Sequence, residues 1–142
     1  MIQANRKMMK RLENIKKPRN FDRHLSKLLR YGFAEKNGCL LLKYCAANGS
    51  RFSESGMDKT GYEAFINHEH VRSISQGWEY AKKLAARLKR RRGRFVVIVS
   101  FDGKGATVRF HKLRRNEPTW LAADLESYKE AVAVVYPNRH RS

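Results

Sequence analysis

Two short stretches hold side chains of the types that move protons or stabilise a transferring phosphate. In Asn67-His68-Glu69-His70 the histidines are one residue apart, so an extended backbone points both to the same side. That is the spacing of a His-x-His metal pair, which still needs a third ligand; only His111, Glu117 or a distant carboxylate offers one. The second stretch runs from Arg109 to Glu117, where Arg109 and His111 share a strand face and Arg114, Arg115 and Glu117 follow. Metal-independent cleavage of RNA needs a base, an acid and a cation for the phosphorane-like transition state. Histidine and glutamate supply the first two, and arginine the third. His111, His68, His70, Arg109 and Glu117 are therefore the catalytic set of a small toxin-like ribonuclease, on condition that the fold brings them together. The plainer account is that His68 and His70 are satisfied polar residues at an element end, and that Arg109 and His111 face solvent.

Other catalytic signatures are absent. The sequence has no GxSxG elbow, no GxxxxGK[ST] loop and no dinucleotide glycine fingerprint. Asp102-Gly103-Lys104-Gly105 needs no explanation beyond a hairpin loop. Cys39 and Cys45 are the only cysteines, with neither CxxC nor zinc-finger spacing, and read as free thiols of a cytoplasmic protein. No metal and no cofactor is expected. No apolar run reaches bilayer length, and the basic stretch Met1 to Lys17 lacks the apolar core of a secretory signal. The size of the chain suggests a bacterial or phage origin.

The charge carries the strongest signal. Lysine and arginine total 31 against 13 aspartates and glutamates, a formal net charge of +18. Such self-repulsion opposes folding and favours contact with phosphates or another acidic surface. The excess is not spread evenly. Arg87-Leu88-Lys89-Arg90-Arg91-Arg92-Gly93-Arg94 places six cations in eight positions, and no acidic residue lies between Glu79 and Asp102. The first 30 residues carry ten lysines and arginines, including Arg6, Lys7, Lys10 and Arg11, against Glu13 and Asp22. Asn116 to Glu130 has the opposite sign, with Glu117, Asp124, Glu126 and Glu130 against Lys129. A helix macrodipole accounts for one or two cations at a helix end, at about 0.3–1 kcal/mol each, and its influence ends within a turn. It leaves the rest of the 87–94 run unexplained. Arginine outnumbers lysine there, which suits bidentate phosphate contact.

The elements that must position these residues follow from periodicity and punctuation. Met8, Leu12 and Ile15 give the stretch Met1 to Lys17 a helical stripe, ended by Pro18. A second helix is expected from Phe21 to Tyr31, with Asn20 as cap, Phe21, Leu25, Leu28 and Leu29 as its apolar face and Gly32 closing it. Asn37-Gly38 predicts a tight turn before a buried strand from Cys39 to Ala46. Asn48 to Gly61 reads as a surface loop, and Tyr62 to His70 fits strand or short helix alike. Trp78, Ala81, Leu84, Ala85 and Leu88 mark the clearest helix, capped by Ser73 or Ser75. A hairpin spans 94–113, a short helix is expected from Trp120 to Tyr128, a strand from Ala131 to Tyr136, and a basic tail ends the chain.

The sequence thus predicts one α+β domain over residues 1–142: a basic helical amino-terminal region 1–32, a central amphipathic helix and a mainly antiparallel sheet containing the 94–113 hairpin. The expected function is binding of RNA or DNA, or of a nucleoprotein, by Arg87, Lys89, Arg90, Arg91, Arg92 and Arg94. Arg6, Lys7, Lys10, Arg11, Arg114 and Arg115 would support them. Two other functions compete: the ribonuclease above, and a phage-type anti-defence inhibitor docking on the acidic or nucleic-acid-binding surface of an enzyme. No membrane partner is expected.

Overall fold

A computed structural model describes residues 1–47 and 49–137. The chain has strands β1 (Ile2–Ala4), β2 (Phe33–Lys36), β3 (Cys39–Leu42), β4 (Glu69–Val71), β5 (Phe95–Phe101), β6 (Ala106–Lys112) and β7 (Ala131–Val135). Its helices are α1 (Arg6–Glu13), α2 (Arg23–Tyr31), α3 (Lys43–Ala46), α4 (Phe52–Ser55), α5 (Lys59–Ile66) and α6 (Ile74–Leu88), with a 3₁₀ turn at Leu125–Ser127. Five strands form an antiparallel sheet in the order β1-β7-β5-β6-β4, and β2 and β3 form a separate hairpin. The α+β class read from the sequence is the class observed. Among the described residues no helix is long and apolar enough to cross a membrane.

The period-2 pattern of the sheet sorts its residues onto two faces. On one, Val97, Val99, Val108, Phe110, Ala133 and Val135 pack against Met8 of α1, Leu25 and Leu28 of α2, and Tyr80, Leu84 and Leu88 of α6. Ser73 caps α6 by accepting from the Gln76 amide. Gly77 lets the helix descend onto the sheet, since a Cβ there would lie 2.9 Å from that of Ala106. On the other face Val96, Ile98 and Val134 meet Leu113, Leu121 and Leu125. The Arg109–His111 face, expected to be wet, thus lies partly beneath the 114–130 segment, and His111 is only 1% exposed.

The far edge of β6 shows how the two sheets are joined. β4 pairs with Ala106–Val108 only. Beyond that point two side chains one helical turn apart, Glu63 of α5 and its C-cap Asn67, replace the missing strand. Glu63 accepts from the backbone amides of Leu40 (2.7 Å) and Lys112 (2.9 Å). Asn67 accepts from the Leu42 amide (2.8 Å) and donates to the carbonyls of Leu40 (2.9 Å) and Phe110 (3.5 Å). Both side chains are fully buried, so backbone groups that would otherwise be orphaned on β3 and β6 are satisfied through α5.

Several local expectations are corrected. Met1 to Lys17 is not helical from its start: Ile2–Ala4 pair with Val135–Ala133 before Asn5 caps α1. The cap of α2 is Asp22 rather than Asn20. The strand from Cys39 stops at Leu42, where the Lys43 amide bonds Gly32 and the chain coils into α3. Of the loop expected from Asn48 to Gly61, Asn48 lies outside the described residues and the rest is not one loop, since it holds α4 and the first turn of α5; Tyr62 to Ile66 is helix. Trp120 to Tyr128 is helical only in the 3₁₀ turn, because Leu121 and Leu125 are drawn onto the sheet and the Ala122 amide bonds the Tyr128 hydroxyl. The basic tail from Asn138 lies outside the described residues.

Candidate nucleic-acid interface

The cation run begins where α6 ends. Leu88 is buried in the core and anchors the last turn; Gly93, at φ 108°, redirects the chain into β5. Between them the backbone has no apolar face to bury, so the long cationic side chains reach outward. Two of the six are drawn inward. Arg87 donates to the Leu29 carbonyl (3.1 Å), pinning the end of α6 to the end of α2. Arg91 lies 5.1 Å over the Phe33 ring and 4.0 Å from the Glu35 carboxylate. Lys89, Arg90 and Arg92 are exposed and meet no carboxylate among the described residues, and Arg94 is exposed beside them.

The fold adds cations that are distant in sequence. A cavity of about 250 Å3 is lined by Arg91, Arg92, Lys36 of the β2–β3 turn and Lys112 at the end of β6, with Glu35 as its one carboxylate. The turn that delivers Lys36 is tight because Asn37 and Gly38 both take positive φ, 54° and 76°.

The amino-terminal cations occupy another place. Lys7, Lys10 and Arg11 line a groove of about 770 Å3 with Lys129, Asp102, Glu130 and the first residues of α6. Arg11 lies 5.1 Å over the Phe101 ring, Lys7 donates to the Lys129 carbonyl, and the Arg6 amide bonds Glu126 (2.6 Å). The groove is at the start of α6 and the 87–94 run at its end. A 15-residue helix is about 22 Å long, so the two cation groups do not form one cluster. Arg114 is committed inward: it pairs with Glu63 (2.6 Å) and donates to the Thr60 hydroxyl (3.2 Å) and the Gly38 carbonyl (3.1 Å). Arg115 is exposed.

The five candidate catalytic residues are not gathered. His111 is held at both ring nitrogens, one bonded to the Lys112 carbonyl (3.0 Å) and the other accepting from the Trp120 amide (3.3 Å). Burial pushes its pKa below the ordinary 6.5, so it is a neutral packing residue near pH 7. His68 and His70 lie together, ring centroids 5.1 Å apart. His70 pairs with Thr107, four residues from His111, a separation of roughly 13 Å along the strand. Arg109 lies 4.7 Å over the Trp120 ring and donates to the Ala64 carbonyl (3.2 Å). Glu117 accepts from the Thr60 amide (2.7 Å) in the first turn of α5. Among the described residues no three His, Cys, Asp or Glu side chains converge as a metal site.

A family model described as the Uncharacterized protein PM0498 family matches residues 3–141. The chain belongs to the PM0498 family. No curated protein and no solved structure matches it. For this member of the family, Lys36 and Lys112 are cations that sequence reasoning did not place beside Arg91 and Arg92. Asn37-Gly38 signalled the turn beside Lys36, but nothing local signals that this turn folds back against Arg91 and Arg92.

Proposed function

We propose that the protein binds nucleic acid, RNA or DNA, free or within a nucleoprotein, through the cations at the carboxyl end of α6. One observation carries the reading: Lys89, Arg90 and Arg92 are exposed at the end of α6 without carboxylate partners among the described residues, and Arg92 shares a cavity with Lys36 and Lys112. Lys89 caps α6 and answers its macrodipole, but Arg90 and Arg92 lie beyond the helix, where adjacent like charges repel and a ligand that supplies negative charge would relieve them. Phosphates along a strand supply it at regular spacing, and each one neutralised releases counterions. This function belongs with a cytoplasmic protein of bacterial or phage origin.

The test is a salt titration of binding to labelled 20-mers, followed by fluorescence anisotropy. About five phosphate contacts give a log–log slope near −4 to −5 on duplex DNA. Replacing Lys89, Arg90 and Arg92 together by alanine is expected to make the slope shallower by about 2.7, at ~0.9 per contact. A parent affinity that is flat with salt, or a triple variant indistinguishable from the parent, overturns the proposal.

A further inference from the structure

Beside the cation run, α2 presents a second feature that the run does not explain. His24, Lys27 and Tyr31 fall at i, i+3 and i+7, so they share one exposed face, opposite in character to the Leu25, Leu28 and Leu29 stripe. Tyr44 of α3 stacks on Tyr31, with ring centroids 5.8 Å apart and planes inclined at 28°. Lys27 Nζ sits 5.9 Å from both ring centroids. His24 meets Tyr44 edge-on, with centroids 5.7 Å apart, and is itself fixed by Glu69 at 2.8 Å. The result is a cluster of three rings in which both tyrosines stay exposed. Tyr31 is 50% exposed and Tyr44 38%, and neither hydroxyl has a hydrogen-bond partner among the described residues.

A stacked aromatic pair left in water is not accounted for by the core, which α2 meets with its leucines. The end of α6, from which the cation run starts, also meets the end of α2 that carries Tyr31. Arg87 bonds the carbonyl of Leu29, two residues before Tyr31, and Arg30 is exposed between them. Resting on the nucleic-acid reading above, we infer that the ligand is single-stranded, and that one of its unpaired bases extends the ring cluster by stacking on Tyr31. Lys27 then lies within reach of the phosphate attached to that base, and the α6 cations take the phosphates that follow. A duplex does not fit this arrangement, because both faces of its bases are already stacked; an unpaired base has a free face of any identity to offer.

Stacking and phosphate contact have separable signatures. Loss of a stacking platform lowers affinity at every salt concentration and leaves the salt slope alone; loss of a cation changes the slope. The experiment measures binding of oligo-rU, oligo-dT and a duplex across a salt series, for the parent, Tyr31→Ala, Tyr31→Phe and the Lys89/Arg90/Arg92 triple alanine variant. Tyr31 is exposed, so its variants are expected to unfold at the parent temperature. The expected result is a loss of single-strand affinity of about 5- to 150-fold for Tyr31→Ala, the range for one base–aromatic stack, with unchanged slope. Duplex binding is expected to be unaltered, and Tyr31→Phe to recover the loss. If Tyr31→Ala binds single strands like the parent while the triple variant loses slope, the stacking inference falls and the phosphate-binding function stands. If the parent prefers duplex, or Tyr31→Ala weakens both ligands equally, the inference also falls. A parent that ignores all three ligands yet captures an acidic protein overturns both.

Discussion

Exchanging one oxygen for nitrogen at Glu63 tests the join between the two sheets. The Glu63 carboxylate is 0% exposed, and three donors converge on it. Oε2 accepts from the Leu40 amide, while Oε1 accepts from the Lys112 amide and from Arg114. In Glu63→Gln, either orientation of the new amide turns an NH2 group toward a backbone N–H, so one buried donor is orphaned at about 1–3 kcal/mol. Arg114 also loses its anion, and breaking a buried pair from one side costs about 3–5 kcal/mol. The guanidinium keeps the Thr60 hydroxyl and the Gly38 carbonyl and retains 14% side-chain exposure, so the two penalties overlap rather than add. The expected loss is about 3–4 kcal/mol out of a typical total of roughly 5–15. That corresponds to a fall in Tm of roughly 10–15 °C. Urea unfolding of the parent, Glu63→Gln, Arg114→Met and the double variant measures it, and the cycle should return a coupling of at least about 1 kcal/mol. A Glu63→Gln protein within about 1 kcal/mol of the parent, or a double variant equal to the sum of the singles, refutes the reasoning.

Four further outcomes follow from single side chains. Leu84→Asp buries a carboxylate without a partner in the sheet-facing stripe of α6, and is expected to abolish cooperative thermal unfolding near the parent Tm. Tyr80 is fully buried with no partner for its hydroxyl among the described residues, so Tyr80→Phe should leave stability unchanged or raise it by up to about 1 kcal/mol in urea. Burial lowers the pKa of His111 below 6.5, so the unfolded chain takes up its proton first as pH falls. The contribution of His111 is therefore complete above its unfolded pKa and declines as pH drops below about 6.5. His111→Asn should flatten that part of a stability–pH profile. Burial raises the Cys39 and Cys45 thiols to about 11, so at pH 8 alkylation by iodoacetamide should be slow in the folded protein and fast in urea, as intact mass will report.

What the sequence made legible was what local rules govern. The period of Trp78, Ala81, Leu84, Ala85 and Leu88 set α6 and its buried face, and the Asp102–Gly105 loop between alternating residues set the β5–β6 hairpin. Asn37-Gly38 marked the β2–β3 turn because only residues that tolerate positive φ can make it. The rest depended on partners far along the chain. Ile2–Ala4 is a strand only because β7 lies beside it, 129 or more residues away, and no periodicity in three residues reveals that. Glu63 and Asn67 look like ordinary polar helix residues until Leu40, Lys112 and Phe110 are placed around them. Arg109 and His111 alternate with Val108 and Phe110 as a solvent-facing set would, but Trp120 and the 114–130 segment cover that face. The α6 cations were readable because charge density needs no fold to be seen. The exposed stacking of Tyr44 on Tyr31 was invisible because its position in Cys39 to Ala46 resembled a buried strand.

The strand order also constrains the order in which the protein can be made. β7 is the last strand in sequence, yet it lies between β1, the first, and β5, the longest apolar strand. On the ribosome α6, β5 and β6 emerge together and can pair locally, while β1 waits for a neighbour that has not been synthesised. Until Ala131–Val135 appear, Val97–Phe101 presents a bare edge of five residues without a charge among them. Such an edge is a template for pairing with another chain. Truncation before Ala131 should therefore yield a product that aggregates, and the nascent chain is at most risk in the interval between β6 and β7. Once β7 is out, Asn5 ties it to β1: its side chain bonds the Leu125 and Glu130 carbonyls and the Val132 amide, holding the two ends of the fold together.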